Sequence, residues 1–168
     1  MTHHSARSVA IYMHDLAGGG AERQVLRLAR QFQRQRLDVT LLLHADTGDL
    51  RADLPPDLPV HVLGSHRTLG DIPRLARYIR RERPDILLAN VDHNNVAALM
   101  AKLLSPRSPT RVVICQHNAL SKSFTADQRW TYRLIPWAYR LLSPFAAGAV
   151  AVSSGIAAEL RRSLPKSR

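Results

Sequence analysis

The chain has 168 residues, 45% hydrophobic and 22% charged, with 24 Lys and Arg against 13 Asp and Glu and a formal net charge of +11. A chain of this size buries roughly 70% of its unfolded surface in one domain without disulfides or metals, which excludes a small stapled fold, and its apolar content excludes a disordered chain. The positive excess, carried almost wholly by Arg, suits phosphates, nucleic acid or anionic lipid and does not choose among them.

The first apolar run, "VAIYM" at 9–13, is shorter than the ~7–15 residues of a signal-peptide core and reads as a strand. The glycine cluster "HDLAGGGAER" (14–23) follows, and then a helical segment over 20–36. Val25, Leu28, Ala29 and Phe32 form its apolar face; Arg23, Arg27, Arg30 and Arg34 form a solvated outer one. "VTLLL" (39–43) is the second strand, and the link over 44–58, closed by Pro55 and Pro56, is short for a full helix. After "PVHVL" (59–63) the spacing predicts a helix over 71–83, capped by Asp71 and ended by Pro84, with Arg74, Arg77 and Arg81 opposite Ile72, Leu75, Ala76 and Ile79.

"DILLA" (85–89) leads through "NVDHNN" (90–95) into a helix over 93–104, and "SPRSP" (105–109) separates it from "RVVIC" (111–115). Cys115 in that run reads as a buried, inert thiol. "QHNALSKS" (116–123) comes next, then a helix over 126–142 with Trp130, Leu134, Trp137 and Leu141 on one stripe and Arg129, Arg133 and Arg140 on another. Such a helix either lies on a membrane surface or packs its tryptophans on the sheet, bent by Pro136. The chain closes with "GAVAV" (148–152), "SSG" (153–155) and a helix over 154–163. No uncharged apolar run approaches the ~18 residues needed to span a bilayer, so a cytoplasmic protein is expected.

Strand and helix alternate throughout, and most strands are continuously apolar. That predicts an α/β domain over residues 1–168, a Rossmann-like parallel sheet with helices on both faces. In such a sheet ligands bind beyond the carboxyl ends of the strands. The loops placed there are the glycine cluster, "NVDHNN", "QHNALSKS" and "SSG"; "HRTLG" (66–70) and "RRERPD" (80–85) are assigned to the opposite edge. One glycine usually suffices for a tight turn, so Gly18, Gly19 and Gly20 together predict a loop that lets a ligand reach the backbone and the first amides of the helix.

The dinucleotide pattern G-x-G-x-x-G fails at Arg23, with Asp46 only a loose match for its acid, and no P-loop triplet is present. His117, just past the fifth strand, could donate to a substrate hydroxyl. His93 is a second loop imidazole. The 24 residues between them, with no close Cys or further His, do not read as a metal site.

In this order, "GGGAER", "NVDHNNVAALMAKLL", "QHN" and "AVAVSSGIAAEL" resemble the amino-terminal domain of family 4 glycosyltransferases of the GT-B fold, over about residues 8–163. The resemblance implies a retaining transferase in which two Rossmann-like domains close over a nucleotide-diphospho-sugar, with the acceptor held mainly by the amino-terminal half. It places Gly18, Gly19 and Gly20 beside the donor's phosphate and sugar and His117 on the donor sugar near the reacting carbon. Asp92, His93, Asn94, Asn95 and Asn118 would face a glycan or lipid-linked acceptor, and Ser153 would line the cleft. No metal, no other cofactor and no nucleic acid are implied. The family's glutamate pair, seven residues apart in the carboxyl-terminal domain, has no counterpart among Glu22, Glu82 and Glu159. The expectation is therefore half of a GT-B enzyme, inactive alone, whose carboxyl-terminal nucleotide-sugar domain is absent. The rival reading is a non-catalytic Rossmann-like module that binds a phosphorylated ligand or an anionic membrane; a nicotinamide oxidoreductase ranks third.

Overall fold

The computed structural model describes residues 8–65, 67–118 and 135–163. Among these, six strands form one sheet in the order β3-β2-β1-β4-β5-β6, and every pairing is parallel. The strands are β1 (Ser8–Met13), β2 (Asp38–Leu43), β3 (Val60–Val62), β4 (Ile86–Asn90), β5 (Arg111–Gln116) and β6 (Gly148–Ala151). The helices are α1 (Gly20–Arg34), α2 (Thr68–Arg81), α3 (Asp92–Leu103), α4 (Ile135–Leu142) and α5 (Ser154–Ser163). The alternation and the strand runs are those the sequence predicts. Residues 44–58 hold a 3-10 helix, Asp49–Asp53, anchored by buried Leu50.

The helices cover the two faces unequally. α2, α3, α4 and α5 share a core with Ala10, Tyr12, Leu42, Leu87, Ala89, Val112 and Ile114. On the other face α1 and the 3-10 helix pack Val25, Leu26, Ala29 and Leu50 against Val9, Ile11, Met13, Val39, Leu41 and Leu43. The strands are apolar at successive residues because both faces are covered there. Leu75 and Ile79 are fully buried on α2, and each contributes roughly 1.5–3 kcal/mol by leaving water. The Arg residues of α1 and α2 named above are exposed, as their spacing predicts.

Two expectations are corrected. Asp71 does not cap α2: the helix starts at Thr68 with Arg67 as its N-cap, and the Asp71 carboxylate is fully buried inside the first turn. Nor do residues 67–70 of "HRTLG" lie at the opposite edge; His66 is outside the described residues. β3 runs parallel to its neighbours, so the loop after it leaves at the carboxyl edge with the others. "RRERPD" does lie at the amino edge, where the Asp85 carboxylate accepts from both Ser8 N and Ser8 Oγ at 3.0 Å and ties β1 to β4. Of the helix expected over 126–142, Ile135–Leu142 is helical; Arg129, Trp130, Arg133 and Leu134 lie outside the described residues.

Candidate functional site at the carboxyl edge of the sheet

The segments after β1, β4 and β5 meet; of "QHNALSKS" the structure describes residues through Asn118, and 119–123 lie outside the described residues. Asn90, the last residue of β4, is buried and its Nδ2 donates to the carbonyls of Tyr12 and Leu88, both at 3.3 Å. With the amide so fixed, Asn90 Oδ1 can only accept, and the ring atom it meets at 3.0 Å is His117 Nε2. His117 therefore carries its proton on Nε2. Burial holds the ring below the ordinary histidine range, although the carboxylates of Glu22 and Asp92 pull the other way. At neutral pH the ring is uncharged, and Nδ1 is its acceptor. The sequence reading of His117 as a donor changes accordingly: the donor nitrogen is engaged by Asn90, and what the ring offers a hydroxyl is a lone pair.

Glu22 links this histidine to the glycine loop. It lies in the first turn of α1, where a Cβ on Gly19 would come within 2.4 Å of its Oε2. Gly18 has φ +105, a conformation that needs glycine, whereas Gly20 has no positive φ and a Cβ there would meet nothing within 4 Å. Backbone conformation thus explains Gly18, while neither conformation nor packing explains Gly20. Arg23 Nε donates to the Gly18 carbonyl at 3.3 Å. The seat is bounded by a carboxylate and the lone pair of a neutral imidazole, two acceptors that suit hydroxyl groups, while the first amides of α1 are what could face an anion.

A second set of imidazoles lies alongside, of which the sequence reading singled out only His93. The Asp71 carboxylate accepts from Tyr12 OH and Ser65 Oγ, each at 2.5 Å, and from His44 Nδ1 at 2.8 Å. Burial, then the bond to Asp71, pushes Tyr12 ionisation far up, so its hydroxyl stays a donor. His14 stacks on His44 with centroids 4.4 Å apart and planes at 12°, and His93 meets His14 edge-on at 5.3 Å. Burial lowers His14, with His44 adding to the effect. His93 is pushed down to about 4, by burial first and by His14 second. Stacked rings do not converge on one ion, and among the described residues no cluster of His, Cys, Asp and Glu could hold a metal. Asp46, the loose match to a dinucleotide acid, is paired with Arg51.

The segment after β4 is strained. Val91 has φ 64 and ψ 159, a region occupied almost only by glycine, and it serves as N-cap of α3. Asp92 accepts from Gln116 Nε2. Asn95 Nδ2 donates to the Cys115 carbonyl at 3.0 Å and to Tyr139 OH at 2.8 Å, and that hydroxyl donates to Gln116 Oε1 at 2.9 Å. Asn94 and Asn95 are fully buried, so the half-buried ring of His93 is what this segment turns towards the crevice. Asn118 is exposed, its carbonyl accepting from Gln116 Nε2 at 2.9 Å. Ser153, after β6, is exposed, and Ile156 N donates to its Oγ at 3.3 Å, capping α5. Cys115 is buried as expected, and burial pushes its thiol up.

The comparisons with known proteins bear on the family and the fold. A family model described as Glycosyltransferase Family 4 matches residues 18–168. No curated protein matches the chain by sequence. Among solved structures the chain is similar to the lipopolysaccharide outer core galactosyltransferase WaaB in its apo form, at 14% identity and TM-score 0.69, over 94% of this chain and 44% of that one. It is also similar to Anabaena Alr3699/HepE in complex with UDP, at 22% identity and TM-score 0.69, over 93% and 40%. The UDP-GlcNAc 2-epimerase from Methanocaldococcus jannaschii shares the fold at 13% identity and TM-score 0.58, over 92% and 42%. The chain spans less than half the length of each. At these identities the likeness shows the fold alone.

Proposed function

The chain belongs to glycosyltransferase family 4, and from that premise we propose that it is the acceptor-side half of a retaining transferase that moves a sugar from a nucleotide-diphospho-sugar to a glycan or lipid-linked acceptor. The observation that carries this reading is the meeting of the glycine loop with Asn90 and His117 at one sheet edge, within residues the family match covers. Gly18, Gly19 and Gly20 let the donor approach the backbone; the carboxylate of Glu22 and the Nδ1 lone pair of His117 hold its hydroxyls. His93 faces the acceptor, and Asp92, Asn94, Asn95 and Asn118 shape that side. Ser153 lines the cleft.

The chemistry of such a site is positioning and preorganised charge. A neutral His117 with a fixed tautomer needs no reorganisation when charge develops on the sugar. In this reading the diphosphate is gripped by a carboxyl-terminal domain supplied in the complete enzyme, and the chain alone does not turn over. The protein works in the cytoplasm, peripherally on the inner face of the membrane; no described helix is long and apolar enough to cross one.

Epimerases share the fold, so the test must separate transfer from isomerisation. The chain, joined to a carboxyl-terminal nucleotide-sugar domain of the family, is incubated with labelled nucleotide-sugars and lipid-linked or glycan acceptors. Label on the acceptor with the donor's anomeric configuration supports the reading. Label confined to an epimerised nucleotide-sugar, or binding without any turnover, contradicts it; the second outcome favours the non-catalytic module.

A further inference from the structure

Charge and exposed apolar surface are unevenly distributed. Through Asp92 the sequence holds thirteen basic and eleven acidic residues; after it come eleven basic and only two acidic ones. Most of the exposed large apolar side chains follow the same division. Met100, Leu103 and Leu104 form a stripe on the outer side of α3 and its C-cap, Trp137 and Leu141 one on α4, and Phe145 lies in the 3-10 turn Ser143–Phe145. Trp137 and Leu141 are 70% and 74% exposed.

The topology gathers these residues. α3 packs against α4 and against the turn. The carboxyl ends of both helices, and the turn, lie at the amino edge of the sheet, because each leads into the start of a parallel strand. Basic groups flank them. Arg80, at the end of α2, donates from Nη1 to the Leu104 carbonyl at 3.2 Å, which fixes its guanidinium beside the α3 stripe. Arg140 is exposed between Trp137 and Leu141, and Arg107 is exposed just beyond α3.

We propose that this corner of α3 and α4 docks on the surface of an anionic lipid bilayer, Trp137, Leu141, Leu104 and Phe145 entering the headgroup boundary while Arg80, Arg107 and Arg140 meet lipid phosphates. Exposed aliphatic and indole side chains ringed by arginines, on a chain segment almost free of acids, match that partner in polarity and in charge. Nucleic acid would engage the arginines but not the leucines. The inference rests on the peripheral-membrane part of the reading above and is independent of the transfer chemistry.

The test is sedimentation of the chain with phosphatidylcholine vesicles with and without about 30 mol% phosphatidylglycerol, across a salt series. Binding is expected only with the anionic lipid, falling roughly tenfold or more between low and high salt. In a Trp130→Phe background, Trp137 emission shifts to the blue on binding. Trp137→Ser with Leu141→Ser weakens binding at least about tenfold, as does Arg80→Glu with Arg140→Glu. Arg27→Glu with Arg34→Glu, on the equally basic but less apolar outer face of α1, leaves it nearly unchanged. Thermal unfolding confirms that each variant is folded. The proposal is overturned by equal binding to neutral vesicles, by no binding to anionic ones, by indifference to the Trp137 and Leu141 changes, or by loss of binding through the α1 variant alone. Transfer to a detergent-dispersed acceptor requires no bilayer, so its persistence in a non-docking variant separates failure of docking from failure of the catalytic reading.

Discussion

The two edges of the sheet solve opposite problems. At the carboxyl edge, acids and imidazoles are drawn into one another: Asp71 takes three donors, His117 is held by Asn90, and burial keeps His14, His93 and His117 uncharged. At the amino edge of the sheet, beside the carboxyl ends of α3 and α4, arginines and apolar side chains stand in solvent. Among the described residues the basic excess therefore stands largely on the outside of the molecule rather than in its crevice. A polar ligand at the first edge meets prearranged neutral imidazoles and a carboxylate, whereas the second edge carries what adhesion to an extended anionic surface requires.

The comparison breaks most severely at Gly48. Its φ is +114, and a Cβ would meet the Leu16 carbonyl carbon at 2.1 Å. Leu16 N donates to the Thr47 carbonyl and Leu50 N to the Leu16 carbonyl, so this contact fastens the loops after β1 and β2 together beneath the crevice. Gly48→Ala is expected to cost about 4 kcal/mol in urea unfolding.

Asp71→Asn comes next. It keeps the shape but turns an amide donor towards Tyr12, Ser65 or His44, at a cost of about 3 kcal/mol. Unfolding of the double variant with Tyr12→Phe should recover part of that loss, because one opposed hydroxyl is removed.

Acid should loosen the same edge. The folded pKa of His93 is near 4 against 6.5 in the unfolded chain, so the unfolded state binds the extra proton between those values. The stabilisation is fully present above pH 6.5 and is lost as pH falls towards 4. His14 and His117, also lowered, act in the same direction. Urea midpoints should fall over this window, and His93→Gln should flatten the slope. A slope unchanged by that substitution would contradict the burial argument.

The smallest effect sharpens the comparison by running the other way. Val91→Gly relieves a backbone strain, and after the entropy gained by the unfolded chain it should raise stability by up to about 1 kcal/mol. Because the strain sits where β4 delivers Asp92 and His93, transfer activity should fall in the same variant. Added stability with unchanged activity would make the strain incidental.

What the sequence disclosed is what local pattern encodes. Continuous apolar runs marked both-sided strands, and the arginine stripes of α1 and α2 marked their outer faces. The loops after β1, β4 and β5 could be assigned to one edge because parallel strands leave no choice. The same rule, applied to β3, would have placed "HRTLG" correctly. Asp71 read as a helix cap because its actual partners, His44 and Tyr12, are 27 and 59 residues distant, and nothing local reveals that an acid is buried. His14 stood inside the quoted glycine motif, yet its stacking on His44 depends on β1 and β2 ending side by side. The tautomer of His117 was hidden for the same reason: Asn90 fixes it across two strands.

The role of His117 is the claim on which the functional account turns. In the chain joined to a carboxyl-terminal nucleotide-sugar domain, His117→Ala should lower kcat for sugar transfer by about 10²–10³-fold with little change in acceptor KM, the mark of a group that acts in the transition state. Undiminished turnover in that variant would contradict the account.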